Sequence, residues 1–376
     1  FNVTPKNETM IDSILHMYMG IDRYIKMTVL PYDAIHHIDM HMRLLDEETL
    51  LVGEYPPGEA DGPQIEANLQ YVLSNFNSIW GTPYEVVRIQ MPPDGNGDYP
   101  DDGPWWSPGD YRTYTNNVFV NKTVLVPTYE QQWDSTALRI LQEQLPGYKI
   151  VGIDCNQIIQ ASGALHCITR AVGSSDPLLI AHQRLRDTND DQNPYPVDAL
   201  IRHLSGISSA TLHWTADTSQ GYQSVPMTLT NPSDDTWTGQ IPAQPLGTCV
   251  YYYIEAQSVS GKTQVRPLTA PQGHWKFCVE SVVAVAPSLP NGWAMEAAFP
   301  NPAQAVTCIP VRSSADVQGR IYLMNAMGQN VREIHQGRIP QGESKYFFFA
   351  NELSAGAYLL VMEGEFGRQT QRIMVK

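Results

Sequence analysis

Cysteine is too scarce and too scattered here for a disulfide-dense scaffold or a zinc site: there are five in 376 residues, none in a CxxC pair. Cys249 and Cys278 both fall in strand-like runs of one later segment, which admits either a bridge or two unpaired buried thiols. No apolar run approaches the roughly 20 residues that a transmembrane helix requires. Positive charge is also in short supply, since 24 Lys and Arg face 39 Asp and Glu for a formal net charge of −15. An acidic surface of this kind repels nucleic acid and anionic lipid and suits a cationic ligand. The chain opens at Phe1 with neither an initiator Met nor a signal peptide, which implies processing or truncation.

What is present is the composition of a globular protein, 42% apolar and 17% charged, at a length suited to two or three domains. A unit recurs along the first half. A period-two pattern predicts strands over 40–45 and 49–54 around the turn Asp46-Glu47-Glu48. A helix over 64–80 follows, with Pro63 at its start and Ile65, Leu69, Val72, Leu73 and Phe76 at helical spacing, and then a strand over 84–91. The same order returns as strands over 113–120 and 123–128, a helix over 135–145 and a strand over 148–154. The tail of an earlier copy precedes both: a helix over 8–19 stopped by Gly20, then a strand over 21–30. A lone hairpin, 164–169 with 177–182, comes after them. From about Asp190 the pattern changes to short alternating strands such as 210–214, 250–256 and 275–279, with turns at Asn231-Pro232-Ser233 and Ser260-Gly261. These read as a small β-sandwich. A Pro-containing linker over 286–291 leads to a last all-β segment.

Two short stretches carry chemistry. His37-Ile38-Asp39 supplies an imidazole and a carboxylate, and Ser162-Gly163-Ala164-Leu165-His166-Cys167 supplies a thiol. Together they suit attack on a planar, cationic guanidinium carbon: a carboxylate holds the cation, a thiolate adds to the carbon, and an imidazole moves protons. If 37–39 is extended, His37 and Asp39 point to one face and His36 to the other, with His41 less defined. By the same alternation His166 is turned away from Cys167 and reads as structural. Cys167 alone could be a buried thiol packing as a small hydrophobe; Cys155, without such flanks, reads as core. Asp94-Gly-Asn96-Gly-Asp98 imitates a calcium loop, but Trp105 stands where an EF-hand needs its bidentate Glu, so it reads as a solvated acidic loop. Trp105-Trp106 reads equally as a lid or as packing.

The pairing of His-x-Asp with a later Gly-x-Leu-His-Cys-x-Thr resembles the agmatine deiminase family of guanidine-modifying enzymes, and within it the secreted bacterial peptidylarginine deiminase. The resemblance implies an α/β fold: a partial five-bladed α/β propeller (the pentein fold, its N-terminal part missing) followed by two β-sandwich domains. Residues 1–188 would be the C-terminal half of the catalytic domain, and 189–284 an immunoglobulin-like sandwich. The lone hairpin would then leave Leu165, Ile168, Leu178, Leu179 and Ile180 beside an uncovered edge. The implied site has Cys167 as nucleophile, His37 as acid and base, and Asp39, with a second carboxylate from the missing half, as the guanidinium clamp. Asn116, in preference to Asn117, would support the loop geometry, and Ile35 and Ser162 would line the substrate channel. No metal or organic cofactor is called for, because the substrate is already electrophilic and cationic. Ala161-Ser162, where many agmatine deiminases carry a glycine run, speaks against agmatine as substrate; the family resemblance favours agmatine, and secretion, implied by the last segment below, favours peptidyl-arginine. A surface adhesin with a decayed deiminase half is the reading of another class.

In the last segment, Phe299-Pro300-Asn301-Pro302, Leu323-Met324-Asn325-Ala326-Met327-Gly328-Gln329 and Leu353-Ser354-Ala355-Gly356-Ala357-Tyr358-Leu359 resemble the C-terminal sorting domain of type IX secretion cargo. That resemblance assigns 285–376 to the sorting domain and makes the type IX machinery a partner. It also implies export to or beyond the surface of a Bacteroidetes-type bacterium.

Overall fold

A computed structural model of the chain describes residues 7–33, 35–56, 58–100, 109–280, 292–298, 301–303, 306–350 and 353–375. The linker over 286–291, Phe299-Pro300, Asp101-Asp102 and Trp105-Trp106 lie outside these. The fold is mixed α/β, with few helices and many sheets. In chain order the first part holds α1 (Glu8–Met19), β1 (Met42–Leu44), β2 (Thr49–Glu54), α2 (Gly62–Asn75), β3 (Glu85–Gln90), β4 (Val118–Val120), β5 (Thr123–Thr128), α3 (Gln131–Gln144) and β6 (Lys149–Asp154). Strands β7 to β15 follow: Leu179–Ala181, Tyr195–Arg202, Ile207–Thr215, Gln223–Pro226, Thr228–Asn231, Thr236–Ile241, Thr248–Ser258, Thr263–Arg266 and Trp275–Val279. Strands β16 to β22 close the chain: Trp293–Met295, Val306–Ser313, Val317–Met324, Asn330–Ile339, Gly342–Phe349, Gly356–Gly364 and Gly367–Val375. Two compact units result: Tyr32–Ala60 with Asn77–Ser288, and Phe1–Pro31 with Asp61–Phe76 and Leu289–Lys376.

In the unit of Tyr32–Ala60 and Asn77–Ser288, the recurring pattern becomes two sheets of identical topology. β1 pairs antiparallel with β2, and β2 parallel with β3; β4 pairs antiparallel with β5, and β5 parallel with β6. The middle strands are paired on both edges, and Leu50, Leu51, Val52, Val124 and Val126 are buried, which is why their sequences run apolar instead of alternating. The strand expected over 113–120 shrinks to Val118–Val120. Upstream, side chains satisfy the local backbone and compete with a ladder: Thr113 and Thr115 hydroxyls meet at 2.9 Å, and Asn117 Nδ2 donates to Tyr114 O at 3.0 Å.

The lone hairpin does not form. His166–Ile168 is a 3₁₀ turn, and β7 pairs with β8 in a second sheet, order β11-β12-β8-β7. Leu178 and Ile180 enter the core of that sandwich with Val197, Leu212, Tyr252 and Phe277, and Leu165 is buried as well. Of the five residues expected at an uncovered edge, Ile168 and Leu179 are exposed. β7 joins the sandwich because alternating β8 (Tyr195, Val197, Ala199 and Ile201 inward) offers it a hydrogen-bonding edge and an apolar face. The facing sheet runs β10-β9-β13-β14, with β15 also on β13.

Ion pairs fasten this sandwich to the first of the two repeats. Buried Glu48 meets Arg186 at 3.1 Å, Arg184 and Arg186 both reach Glu85, and Arg266 reaches Glu47 at 2.7 Å. Cys249 and Cys278, opposite each other on β13 and β15, are bridged. Replacing both with Ser should lower unfolding free energy by about 3.6 kcal/mol, the loop-closure entropy of a bridge across some 30 residues. Denaturant titration of both forms reads it, and a difference under about 1 kcal/mol would leave the bridge without a stabilising role.

In the other unit, Asn7 caps α1 by accepting from Met10 N at 2.9 Å, and Gly20 ends the helix in the left-handed region at φ 66°. The strand expected over 21–30 is absent. That segment has no partner ladder, and Lys26 Nζ holds it to α1 through Asp12 at 2.8 Å. In α2, Ser74 Oγ donates to Arg338 O at 2.8 Å, and Arg338 Nη1 donates to Leu73 O at 3.0 Å. The final strands form sheets β16-β17-β20 and β19-β18-β21-β22 around Trp293, Ile309, Ile321, Leu323, Phe348, Leu360 and Met362. Asn325 shapes the turn after β18, its Oδ1 accepting from Met327 N and Gln329 N at 3.0 Å each.

Candidate active site

Asn116, fully buried, organises the site from the irregular run before β4. Its Oδ1 accepts from the backbone N–H of His166 at 2.9 Å and of Ala164 at 3.2 Å, which fixes the loop that carries the thiol. Its Nδ2 donates to Asp39 Oδ2 at 2.7 Å and lies 3.3 Å from Cys167 Sγ. Asn117 is turned away, spent on Tyr114 O, while its own carbonyl accepts from Arg43. The run is held from beneath: Tyr129 OH donates to Thr113 O at 3.0 Å, and Tyr114 OH donates to Asp134 at 2.8 Å. Burial, with Asp134 beside it, pushes the Tyr114 phenol far above its usual range, so it stays a donor.

Of residues 37–39 His37 keeps extended backbone and the other two do not. Ile38–Met40 is a 3₁₀ turn closed by Met40 N to His37 O at 3.1 Å, with Asp39 O accepting from Thr115 Oγ1 at 2.8 Å. Three residues per turn separate His37 and Asp39 around the axis. Asp39 therefore faces Asn116, while His37 is exposed, with no side-chain hydrogen bond among the described residues. The second 3₁₀ turn overturns the alternation argument for His166. Its Nδ1 sits 2.6 Å from Asp39 Oδ2, so it belongs to the cluster. Cys167 is exposed. Gly163 allows the thiol its position, because a Cβ there would lie 2.8 Å from Sγ. Ser162 adopts φ 59°, a left-handed conformation that glycine takes more readily. Ile35 is fixed by its N–H to Asp33 Oδ1 at 3.0 Å, and neither it nor Ser162 hydrogen-bonds to the cluster among the described residues.

Two further titratable neighbours flank Asp39: His41, whose role the sequence left undefined, and Arg43, which it did not mark. Burial pushes His41 down to about 4, against the pull of Asp39, so this imidazole is neutral at physiological pH. Arg43 is also lowered by burial, with Asp39 opposing; it lies 5.1 Å from the Phe119 ring centroid and pins the Asn116-Asn117 backbone. Nothing in the sequence marks Arg43, because its contacts are to backbone and to a ring far along the chain. The Asp94 loop is closed on itself, Asp94 Oδ1 accepting from Asn96 N at 2.8 Å and Asp98 N at 3.0 Å.

A thiol and a carboxylate that both touch one amide, with imidazoles nearby, are equipment for nucleophilic attack on a cationic carbon. Residues 4–172 match the Porphyromonas-type peptidyl-arginine deiminase family. That family and the agmatine deiminases are hydrolases acting on C–N bonds. Residues 297–376 match the secretion system C-terminal sorting domain, which marks a secreted or cell-surface protein. No described helix is long and apolar enough to cross a membrane. The agmatine deiminase of Medicago truncatula is 25% identical over 182 residues, 44% of this chain and 48% of that one. Among solved structures, the agmatine deiminase of C. jejuni aligns at 24% identity over 43% of this chain and 46% of its own, with a TM-score of 0.34. That of Enterococcus faecalis aligns at 18% identity over 44% and 48%, with a TM-score of 0.38. The chain spans about half the length of the curated relatives it matches.

Proposed function

We propose that this chain carries the nucleophile-bearing half of a secreted deiminase that hydrolyses the guanidino group of peptidyl-arginine to a ureido group, releasing ammonia. The observation that carries the reading is the contact chain Cys167–Asn116–Asp39–His166. Residues 1–188 are read as part of a five-bladed propeller, a reading that the shared topology of the two repeats supports. Residues 189–284 are read as an immunoglobulin-like sandwich and 285–376 as the sorting domain, taken by the type IX secretion machinery.

Asp39 accepts hydrogen bonds from the guanidinium, and a second carboxylate outside this cluster completes the clamp. Ile35 and Ser162 line the approach. Cys167 thiolate adds to the central carbon, and Asn116 keeps thiol and carboxylate in register. The tetrahedral adduct expels ammonia, which leaves with a proton supplied by His37, and a thiouronium remains on sulfur. His37 then takes a proton from water as the hydroxide adds to that carbon. The C–S bond breaks, and the thiolate and the ureido product are regenerated. One water is consumed and one ammonium released per guanidinium.

Agmatine, giving N-carbamoylputrescine, is the second substrate reading, favoured by the match to agmatine deiminases. An exported enzyme meets peptides rather than a cytosolic amine, which tips the proposal to peptidyl-arginine. Ammonia release from an arginine-terminated peptide and from agmatine tests it. At least tenfold higher kcat/KM for the peptide is expected. The reverse ratio would assign agmatine, and no release from either would leave a binding role at the cell surface.

A further inference from the structure

We infer that His166 is a positioning residue that competes with the substrate: its imidazolium occupies the Asp39 oxygen that an incoming guanidinium has to take. The inference rests on the deiminase reading and adds to it a determinant of substrate affinity.

The geometry is specific. Asp39 Oδ2 already receives Asn116 Nδ2 at 2.7 Å and faces His166 Nδ1 at 2.6 Å, which among the described residues leaves Oδ1 as the carboxylate oxygen without a tight donor. A guanidinium donates as a planar fork and binds a carboxylate best through both oxygens. Two-point binding therefore needs one donor to leave Oδ2. Asn116 is locked, because its amide also holds the Ala164 and His166 backbone. The His166 side chain is half exposed against 15% for Asp39, and its Nε2 has no partner among the described residues. Imidazole is the group free to swing out. When protonated it also matches the substrate in charge, so release of the carboxylate is coupled to release of a proton.

The other titratable groups around Asp39 are His37 and His41 on its own segment, Arg43 on β1 and Cys167 on the facing loop. His41 is neutral above about 4 and Arg43 stays charged, so neither changes state between pH 5.5 and 7.5. Variants separate the contributions of His166, His37 and the thiol.

Calorimetric binding of agmatine to the whole chain carrying Cys167→Ala removes both turnover and thiol titration. Acid favours the imidazolium that competes for Oδ2, so agmatine should bind several-fold more weakly at pH 5.5 than at pH 7.5. Adding His166→Gln should reduce that change to under about twofold, whereas adding His37→Gln should leave it in place. His166→Lys, a permanent cation, should bind weakly at both pH values. Acid weakening that survives His166→Gln, or tight binding by His166→Lys, overturns the inference while leaving the deiminase reading intact. Absence of agmatine binding by every variant at both pH values instead removes the charge clamp, and with it both the proposal and the reading beneath it.

Discussion

Cys167→Ala is expected to abolish ammonia release, by about 10⁴-fold or more, while guanidinium affinity stays within about threefold of the parent protein. The two effects separate because thiol and charge clamp are different groups. In the proposed mechanism Sγ supplies the bond to carbon, whereas Asp39 supplies the attraction for the cation. Alanine at 167 removes one weak contact to Asn116 Nδ2, which keeps Asp39 Oδ2 and the backbone of 164–166 as partners. The carboxylate should therefore stay in place. Single-turnover ammonia assay and equilibrium binding on one preparation read both quantities. Residual activity within tenfold of the parent would sink Cys167 as nucleophile, and a parallel collapse of binding would make the thiol a structural group.

The repeats were legible in sequence because their signals are local and periodic. β2 and β5 fall at the expected 49–54 and 123–128, and α1 at 8–19, because an apolar run between turns and an Asn-to-Gly capped helix need no distant partner. The candidate site residues stand out in sequence by their residue types, but their geometry does not. Both site segments are three-residue 3₁₀ turns, too short for any period, and each is set by partners remote in sequence: Thr115 and Asn116 for Asp39, Asn116 for the loop of 164–166. Strand alternation, applied where no strand forms, put His37 beside Asp39 and turned His166 away; the turns reverse that arrangement. β7 was misread for a related reason. Its alternation predicts a strand correctly, but its partner is β8, with paired residues 19 to 23 positions on, rather than the cysteine-bearing segment.

Acid should destabilise the unit that holds the site well before carboxylates titrate. Burial holds both His41 and His182 down at about 4, against an ordinary value near 6.5. His182 lies between Asp198 O at 2.6 Å and Tyr252 OH at 2.9 Å, while neither ring nitrogen of His41 has a partner among the described residues. Below about 6.5 the unfolded chain binds protons that the folded one refuses, so stability is complete above that pH and falls as pH drops toward 4. At pH 5 each histidine costs about 2 kcal/mol, and together about 4, a large share of the 5–15 kcal/mol typical of a folded protein. Glu85 acts in a lower window. Burial alone would raise it, but hydrogen bonds from Arg186 and Arg184 outweigh that and hold it below its ordinary range, so its contribution is lost only under about pH 4.5. Urea titrations at pH 8 and pH 5 should therefore differ by several kcal/mol. His41→Leu should recover about half of the difference without loss at pH 8, since leucine fills the site with no imidazole to desolvate. An acid slope identical in the parent, His41→Leu and His182→Gln would show that neither histidine is held neutral by the fold.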